Sequence, residues 1–229
     1  MKVIARIKND FPSKFGVPRQ SGLIDGIKST VVFEPEFRNT DALRGLEGFS
    51  HIWLIWKFEG YDSETFSPTV RPPRLGGNKR MGVFATRSPN RPNPIGLSCV
   101  KLEEITKTDK YGYVLTVSGA DLMNGTDILD IKPYLPIADC KPNATSGFAE
   151  YTKEDDIKTV DFSLCKDDIP NEIKDSLYLM LKSDPRPSYQ NDDERIYGFK
   201  YSGFEIKFKV VNDTVYLCNV IKDDYEQEK

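Results

Sequence analysis

Arg87 and Arg91 sit among Pro89, Pro92 and Pro94 in the stretch ATRSPNRPNPIGLS, residues 85–98. Each proline removes a backbone donor and fixes φ. The preceding residues, Ser88, Arg91 and Asn93, are pushed toward extended geometry. A loop ordered in advance loses little entropy when a ligand docks. Each guanidinium offers a planar fork of donors. The stretch therefore suits capture of an anionic or polar ligand; a structural turn whose arginines pair with carboxylates elsewhere is the other reading.

A second basic loop, RPPRLGGNKRMG (71–82), carries Arg71, Arg74, Lys79 and Arg80. Its Gly76 and Gly77 would let backbone approach a ligand closely. The G-K-[ST] of a phosphate-binding P-loop is absent. Residues 1–100 hold 15 Lys/Arg against 9 Asp/Glu, and residues 101–229 hold 17 against 26, in a chain of net charge −3. From residue 65 to 102 there is no carboxylate at all, while seven cations, including Lys101, fall in that span. This implies an anion-facing surface, for phosphate or nucleic acid, beyond an ordinary solvated face.

The stretch GADLMNGTDILDIKPY carries Asp121, Asp127 and Asp130 around an Asn124-Gly125 turn. Such carboxylates can do acid–base work or simply cap turns and pair with cations. His51, the one histidine, lies in the apolar HIW and is expected in the core. A histidine-rich metal centre is excluded and no metal is expected. Four cysteines, at 99, 140, 165 and 218, form no C-x-x-C pair and read as reduced thiols of a cytoplasmic protein. The start, MKVIARIKNDFPSKFG, lacks the apolar run of a signal peptide. No uninterrupted apolar stretch is long enough for a membrane span.

The elements that must position these residues are mostly strands. MKVIARI, GIKSTVVFEP, MGVFATRS, LSCVKLEEITK, YGYVLTVSGADL and DILDIKPYL read as strands with turn punctuation. FSHIWLIWKFEGY reads as a strand covered on both faces. NTDALRGLEG is expected as a short helix capped by Asn39 or Thr40. The fold class is mainly β: a small single-sheet β-barrel in residues 1–140, a polar linker in 141–163, and a small α+β domain in 164–229. In the last, PNEIKDSLYLMLKSDP places Ile173, Leu177, Met180 and Leu181 at helical spacing, followed by the strands RIYGFKYS and FEIKFKVVNDTVYLCNVI. The βαβ rhythm and the G-x-G-x-x-G of a dinucleotide fold are missing.

Four stretches together resemble the TsaA-like family, named TrmO in bacteria. They are PRQSG (18–22), LRGLEGFSHIWLIWKFEG (43–60), VRPPRLGGNKRMGVFATRSPNRPNPIGLS (70–98) and ADLMNGTDILDIKPYLPIAD (120–139). LKSDPRPSY (181–189) resembles the family's C-terminal domain more loosely. The resemblance implies a dimeric, S-adenosylmethionine-dependent methyltransferase built on a β-barrel. Its substrate would be N6 of N6-threonylcarbamoyladenosine, beside the anticodon of threonine tRNA. It implies cofactor contacts from Pro18, Arg19 and Gln20, from Phe58, Glu59 and Gly60, from Arg91, and from Met123, Asn124, Gly125, Thr126, Asp127 and Ile128. Arg71, Arg74, Lys79, Arg80 and Arg87 are then left to face the RNA. Family members often carry His where Glu59 stands and Asp where Asn124 stands. Those departures keep a non-catalytic cofactor- or RNA-binding module open as the alternative, and a hydrolase using Asp121, Asp127 or Asp130 stands behind it.

Overall fold

The computed structural model describes residues 1–24, 26–61, 66–72, 75, 78–152, 158–186 and 192–223. Within residues 1–140, β1 (Ala5–Lys8), β2 (Lys28–Phe33), β3 (His51–Lys57), β6 (Ile95–Thr108), β7 (Gly112–Ser118) and β8 (Asp127–Pro133) form a ring in the order β1-β2-β7-β6-β3-β8. Every neighbouring pair is antiparallel. The closing β1–β8 seam is short, only Ala5↔Ile128 and Arg6↔Asp127. Alternation fills the interior: Ala5, Ile7, Val31, Ile52, Leu54, Leu115, Val117 and Ile128 are buried. Two short strands, β4 (Thr69–Val70) and β5 (Met81–Gly82), pair outside the ring.

The second unit is a four-stranded sheet, ordered β10 (Tyr197–Tyr201), β11 (Phe204–Val211), β12 (Thr214–Lys222), β9 (Thr159–Asp161). Helix α2 (Asn171–Lys182) buries Ile173, Leu177, Met180 and Leu181 against it, as their spacing predicts. A four-residue helix, α1 (Pro136–Asp139), follows the ring and is held by Trp53 Nε1 donating to Asp139 at 3.0 Å.

Several local expectations are corrected. β3 is not covered on both faces: Ile52, Leu54 and Trp56 point inward, while His51, Trp53, Ile55 and Lys57 are half-covered. His51 therefore lies outside the barrel core, beside Ser50 Oγ at 3.0 Å and Tyr134. Residues 39–48 are two 3-10 turns rather than one helix, because Gly45 adopts φ 88° between them. Asn39 does cap the first, accepting from Asp41 N at 2.9 Å. MGVFATRS keeps only two strand residues before a 3-10 turn at Val83–Ala85. The last apolar run is a hairpin, β11–β12, turned at Asn212 with φ 53°.

Residues 9–24 and 26–27, from the connection between β1 and β2, pack into the other unit. Phe11, Ile24 and Ile27 are buried with Tyr201, Phe199 and Leu177 in the core under α2. Phe11 lies 5.2 Å, ring to ring, from Tyr201. Its backbone oxygen meanwhile accepts from Asn124 N at 2.9 Å, and Ser202 N donates to Asp10 O at 3.1 Å. Gly16 has φ 89°, and a Cβ there would sit 2.6 Å from the Phe199 ring. Only glycine satisfies both constraints.

Candidate active site

A cleft of about 2160 Å³ opens between the ring, the 9–27 connection and the segment after α2. Its walls are supplied by residues 14–20, the end of β3 through Tyr61, the loops 66–72 and 80–92, and Asp121, Leu122, Met123 and Thr126. Residues 145–149 and 183–186 complete it.

The proline-rich loop is stapled by itself. Arg91 N donates to Pro89 O at 2.8 Å and Ile95 N to Asn93 O at 2.7 Å, two tight i→i+2 turns. Ser88 N donates to Thr86 Oγ1 at 3.2 Å and Asn90 N to Ser88 Oγ at 3.2 Å. Arg91 turns Nη1 back to Thr86 O at 3.2 Å and Ser88 O at 3.4 Å. The question of where its arginines go thus has a double answer. Arg91 is half-buried and braces the loop, whereas Arg87 is exposed and reaches across the cleft to Gln20 Oε1. Neither makes a carboxylate ion pair in these bonds, although the Arg87 charge acts on the Asp121 carboxylate.

The opposite wall is the 18–20 turn. Arg19 Nη2 donates to Asp184 O at 2.7 Å and Arg186 O at 2.8 Å, and Gln20 Nε2 donates to Arg19 O at 2.7 Å. Beyond it, Ser21 Oγ accepts from Cys99 N at 3.2 Å and Gly22 N donates to Gly119 O at 2.9 Å. The turn is thereby pinned on one side to the α2 unit and on the other to β6 and β7.

Aromatic rings line the floor. Trp56 and Phe58 are 4.2 Å apart, and Phe58 meets Tyr61 edge-on at 6.1 Å. Trp56 lies across Gly96 of β6, where a Cβ would come within 2.2 Å of the indole. Trp56 Nε1 donates to Ser98 Oγ at 2.9 Å, and Ser98 donates in turn to Asp121 Oδ1. Burial raises the Asp121 pKa from its ordinary value, opposed by the hydrogen bond from Ser98, by the backbone of Asp121 and Ser21, and by the Arg87 charge. We expect Gly96→Ala to displace the indole and cost about 1–3 kcal/mol of stability, the scale of overpacking. Near-UV circular dichroism and urea unfolding measure both; an unchanged tryptophan signal and midpoint would refute the close approach.

The structure brings Pro18, Arg19, Gln20, Phe58, Glu59, Gly60, Arg91, Met123 and Thr126 into one cleft, which Arg71, Arg80 and Arg87 also line. Asn124, Gly125, Asp127 and Ile128 stand behind it. Thr126 N donates to Met123 O at 3.2 Å across Gly125, whose φ is 87°, so the expected turn is present. Asn124 Oδ1 accepts from Asn9 N at 3.1 Å, an acceptor role an aspartate would also fill. Asp127 lies 2.6 Å from Arg6 Nη1, and Ile128 is wholly buried in the ring. Asp130 pairs with Lys132 at 3.0 Å. The hydrolase reading loses two of its three carboxylates to ion pairs, and His51 is not in the cleft. Lys79 is exposed away from the cleft lining; Arg74, Gly76 and Gly77 lie outside the described residues. The sequence did not single out Ser98 or Trp56. Their signal was the register of β3 on β6, which no local pattern displays.

Two family models match the chain: the tRNA-methyltransferase O N-terminal domain over residues 6–140 and the TrmO C-terminal domain over residues 159–223. The chain is 37% identical to a tRNA (adenine(37)-N6)-methyltransferase of Escherichia coli, over 91% of this chain and 92% of that protein. It is 39% identical to a probable S-adenosyl-L-methionine-binding protein of Pyrococcus abyssi, over 64% and 74%. A crystal structure of TrmO from Pseudomonas aeruginosa superimposes with a TM-score of 0.74 at 31% identity, covering 96% of this chain and 98% of that one.

Proposed function

The chain belongs to the TrmO family of tRNA methyltransferases, and from that membership we infer how the cleft is used. It is an S-adenosylmethionine-dependent enzyme that methylates N6 of adenine in tRNA. We propose that the adenine is N6-threonylcarbamoyladenosine beside the anticodon of threonine tRNA, and that the enzyme is a cytoplasmic homodimer. The dimer rests on family resemblance alone. The cytoplasm is supported by four free cysteines, which suit a reducing compartment. No helix among the described residues is long and apolar enough to cross a membrane.

The donor set of the cleft fits the cofactor. The rings of Phe58 and Tyr61 suit an adenine face, Arg91 suits a carboxylate, and Glu59, the exposed lining acid, suits an amino group. Bound there, S-adenosylmethionine supplies an electrophilic methyl group. The residues of the chain have the positioning task, and a loop braced as 85–94 is holds its groups in place at little cost on binding. On the substrate side, Arg71, Arg80 and Arg87 supply forks for phosphate and for the threonyl carboxylate. Phe66 and Phe84 stack 6.1 Å apart at the cleft, 55% and 74% exposed. Such rings suit bases splayed from a single-stranded loop.

The observation that carries this reading is one cleft holding both the aromatic floor and the cations of the acid-free segment 65–102. Nucleoside mass spectrometry after incubation with methyl-labelled cofactor and bulk cellular tRNA tests it. The label is expected in N6-threonylcarbamoyladenosine of threonine tRNA. Label confined to unmodified adenine, or to other tRNAs, would overturn the substrate assignment.

A further inference from the structure

Asp121 is set apart from the other described carboxylate that lines the cleft. Among the described lining residues only Glu59 and Asp121 are acidic; Glu59 is exposed, and Asp121 is withdrawn into the wall. Its surroundings are directional. An indole N–H can only donate, so Trp56 Nε1, 2.9 Å from Ser98 Oγ, makes that hydroxyl an acceptor on one side. Ser98, itself wholly buried, spends its own hydrogen on Asp121 Oδ1. Oδ1 is therefore held as an acceptor by a donor that has no other role in the line, and the carboxylate it belongs to lines the cleft. The backbone N–H groups of Asp121 and Ser21 and the Arg87 charge favour the ionised carboxylate, against the burial that disfavours it.

We propose that the Asp121 carboxylate accepts the N6 proton during methyl transfer. The inference rests on the adenine-N6 reaction assigned above. The N6 lone pair is delocalised into the purine ring, and a carbamoyl substituent withdraws it further, so the nitrogen attacks well only as its proton leaves. The N6–methyl bond forms while the methyl–sulfur bond breaks. The sulfur keeps that electron pair and becomes a neutral thioether. The N6–H pair becomes the nitrogen lone pair, and the proton passes to the Asp121 carboxylate. One positive charge on sulfur and one negative charge on Asp121 disappear together, so a partly desolvated wall does not strand either. Burial that raises the carboxyl's pKa also makes it a better proton acceptor near neutral pH.

The test uses the full-length enzyme. Calorimetry with S-adenosylmethionine and filter binding of tRNA establish that Asp121→Asn still binds both within about threefold. Its single-turnover methylation rate is expected to fall by roughly 10²–10⁴-fold, the contribution of a positioned base. A fall under fivefold, or a loss of cofactor binding that matches the rate loss, would overturn the proposal. Ser98→Ala tests it independently. The Ser98 hydrogen bond holds the Asp121 pKa down, so its loss moves the acid limb of the single-turnover rate to higher pH. The protonated-carboxyl infrared band should shift with it and be missing in Asp121→Asn. An acid limb that stays where it was in Ser98→Ala refutes the role even if Asp121→Asn fails to fold. If the wild type labels no adenine N6, the function assignment fails instead, and the infrared titration still reports on the carboxyl.

Discussion

Phe11→Ala is expected to lower the stability of the protein by roughly 3–5 kcal/mol, the cost of truncating a wholly buried phenylalanine. Phe11 has no exposed surface and packs on Tyr201 under α2. Yet it leaves β1 only three residues before, and its backbone oxygen accepts from Asn124. The loss therefore falls at the joint between the two units. The same substitution should loosen the 18–20 turn, because Ile24 and Ile27 share that core. Urea unfolding followed by circular dichroism gives the stability. Hydrogen exchange of residues 14–22 reports the loosening, with protection expected to fall there and to persist in β3 and β6. A loss below 1 kcal/mol would show that the two units are held together by other contacts.

Arg91→Ala is expected to weaken S-adenosylmethionine binding by about 1.5–3 kcal/mol, the scale of a lost charge-assisted hydrogen bond. Two effects add. One fork leaves the cleft wall, and the loop loses the brace to Thr86 O and Ser88 O. Arg91→Lys should recover little, since an ammonium cannot reproduce two divergent donors. Lys79→Ala is the contrast: Lys79 is exposed and outside the cleft lining. It should leave cofactor affinity unchanged, weaken tRNA binding for all sequences, and reduce the salt slope by about one unit. Calorimetry for the cofactor and filter binding of tRNA across salt separate the two. Normal cofactor binding by Arg91→Ala, or its loss in Lys79→Ala, would contradict this division of the basic segment.

Local patterns carried much of this protein. Apolar runs bounded by turn residues placed most of the ring strands, and the helical spacing of Ile173, Leu177, Met180 and Leu181 placed α2, because each pattern depends only on near neighbours. The stiffness of residues 85–98 was legible from its prolines, and the cationic wall from the missing carboxylates. The motifs that resemble the TsaA-like family gave the enzyme class, which the comparisons bear out. Where the pattern was ambiguous it misled: the tryptophans of β3 read as doubly buried, but Trp53 faces outward and finds Asp139.

What the sequence by itself determined, then, was most of the element types, the chemical character of the loops and the family. Tertiary structure alone decided three things. It assigned residues 9–27 to the core under α2, since Phe11, Ile24 and Ile27 find their partners some 150–200 positions away in the chain. It divided the candidate residues between the cleft and the ring behind it. And it joined Trp56, Ser98 and Asp121 into one hydrogen-bonded line. That line needs β3 to register on β6 with Trp56 opposite Gly96, a long-range pairing set by packing of the whole barrel and carried by no short stretch of chain.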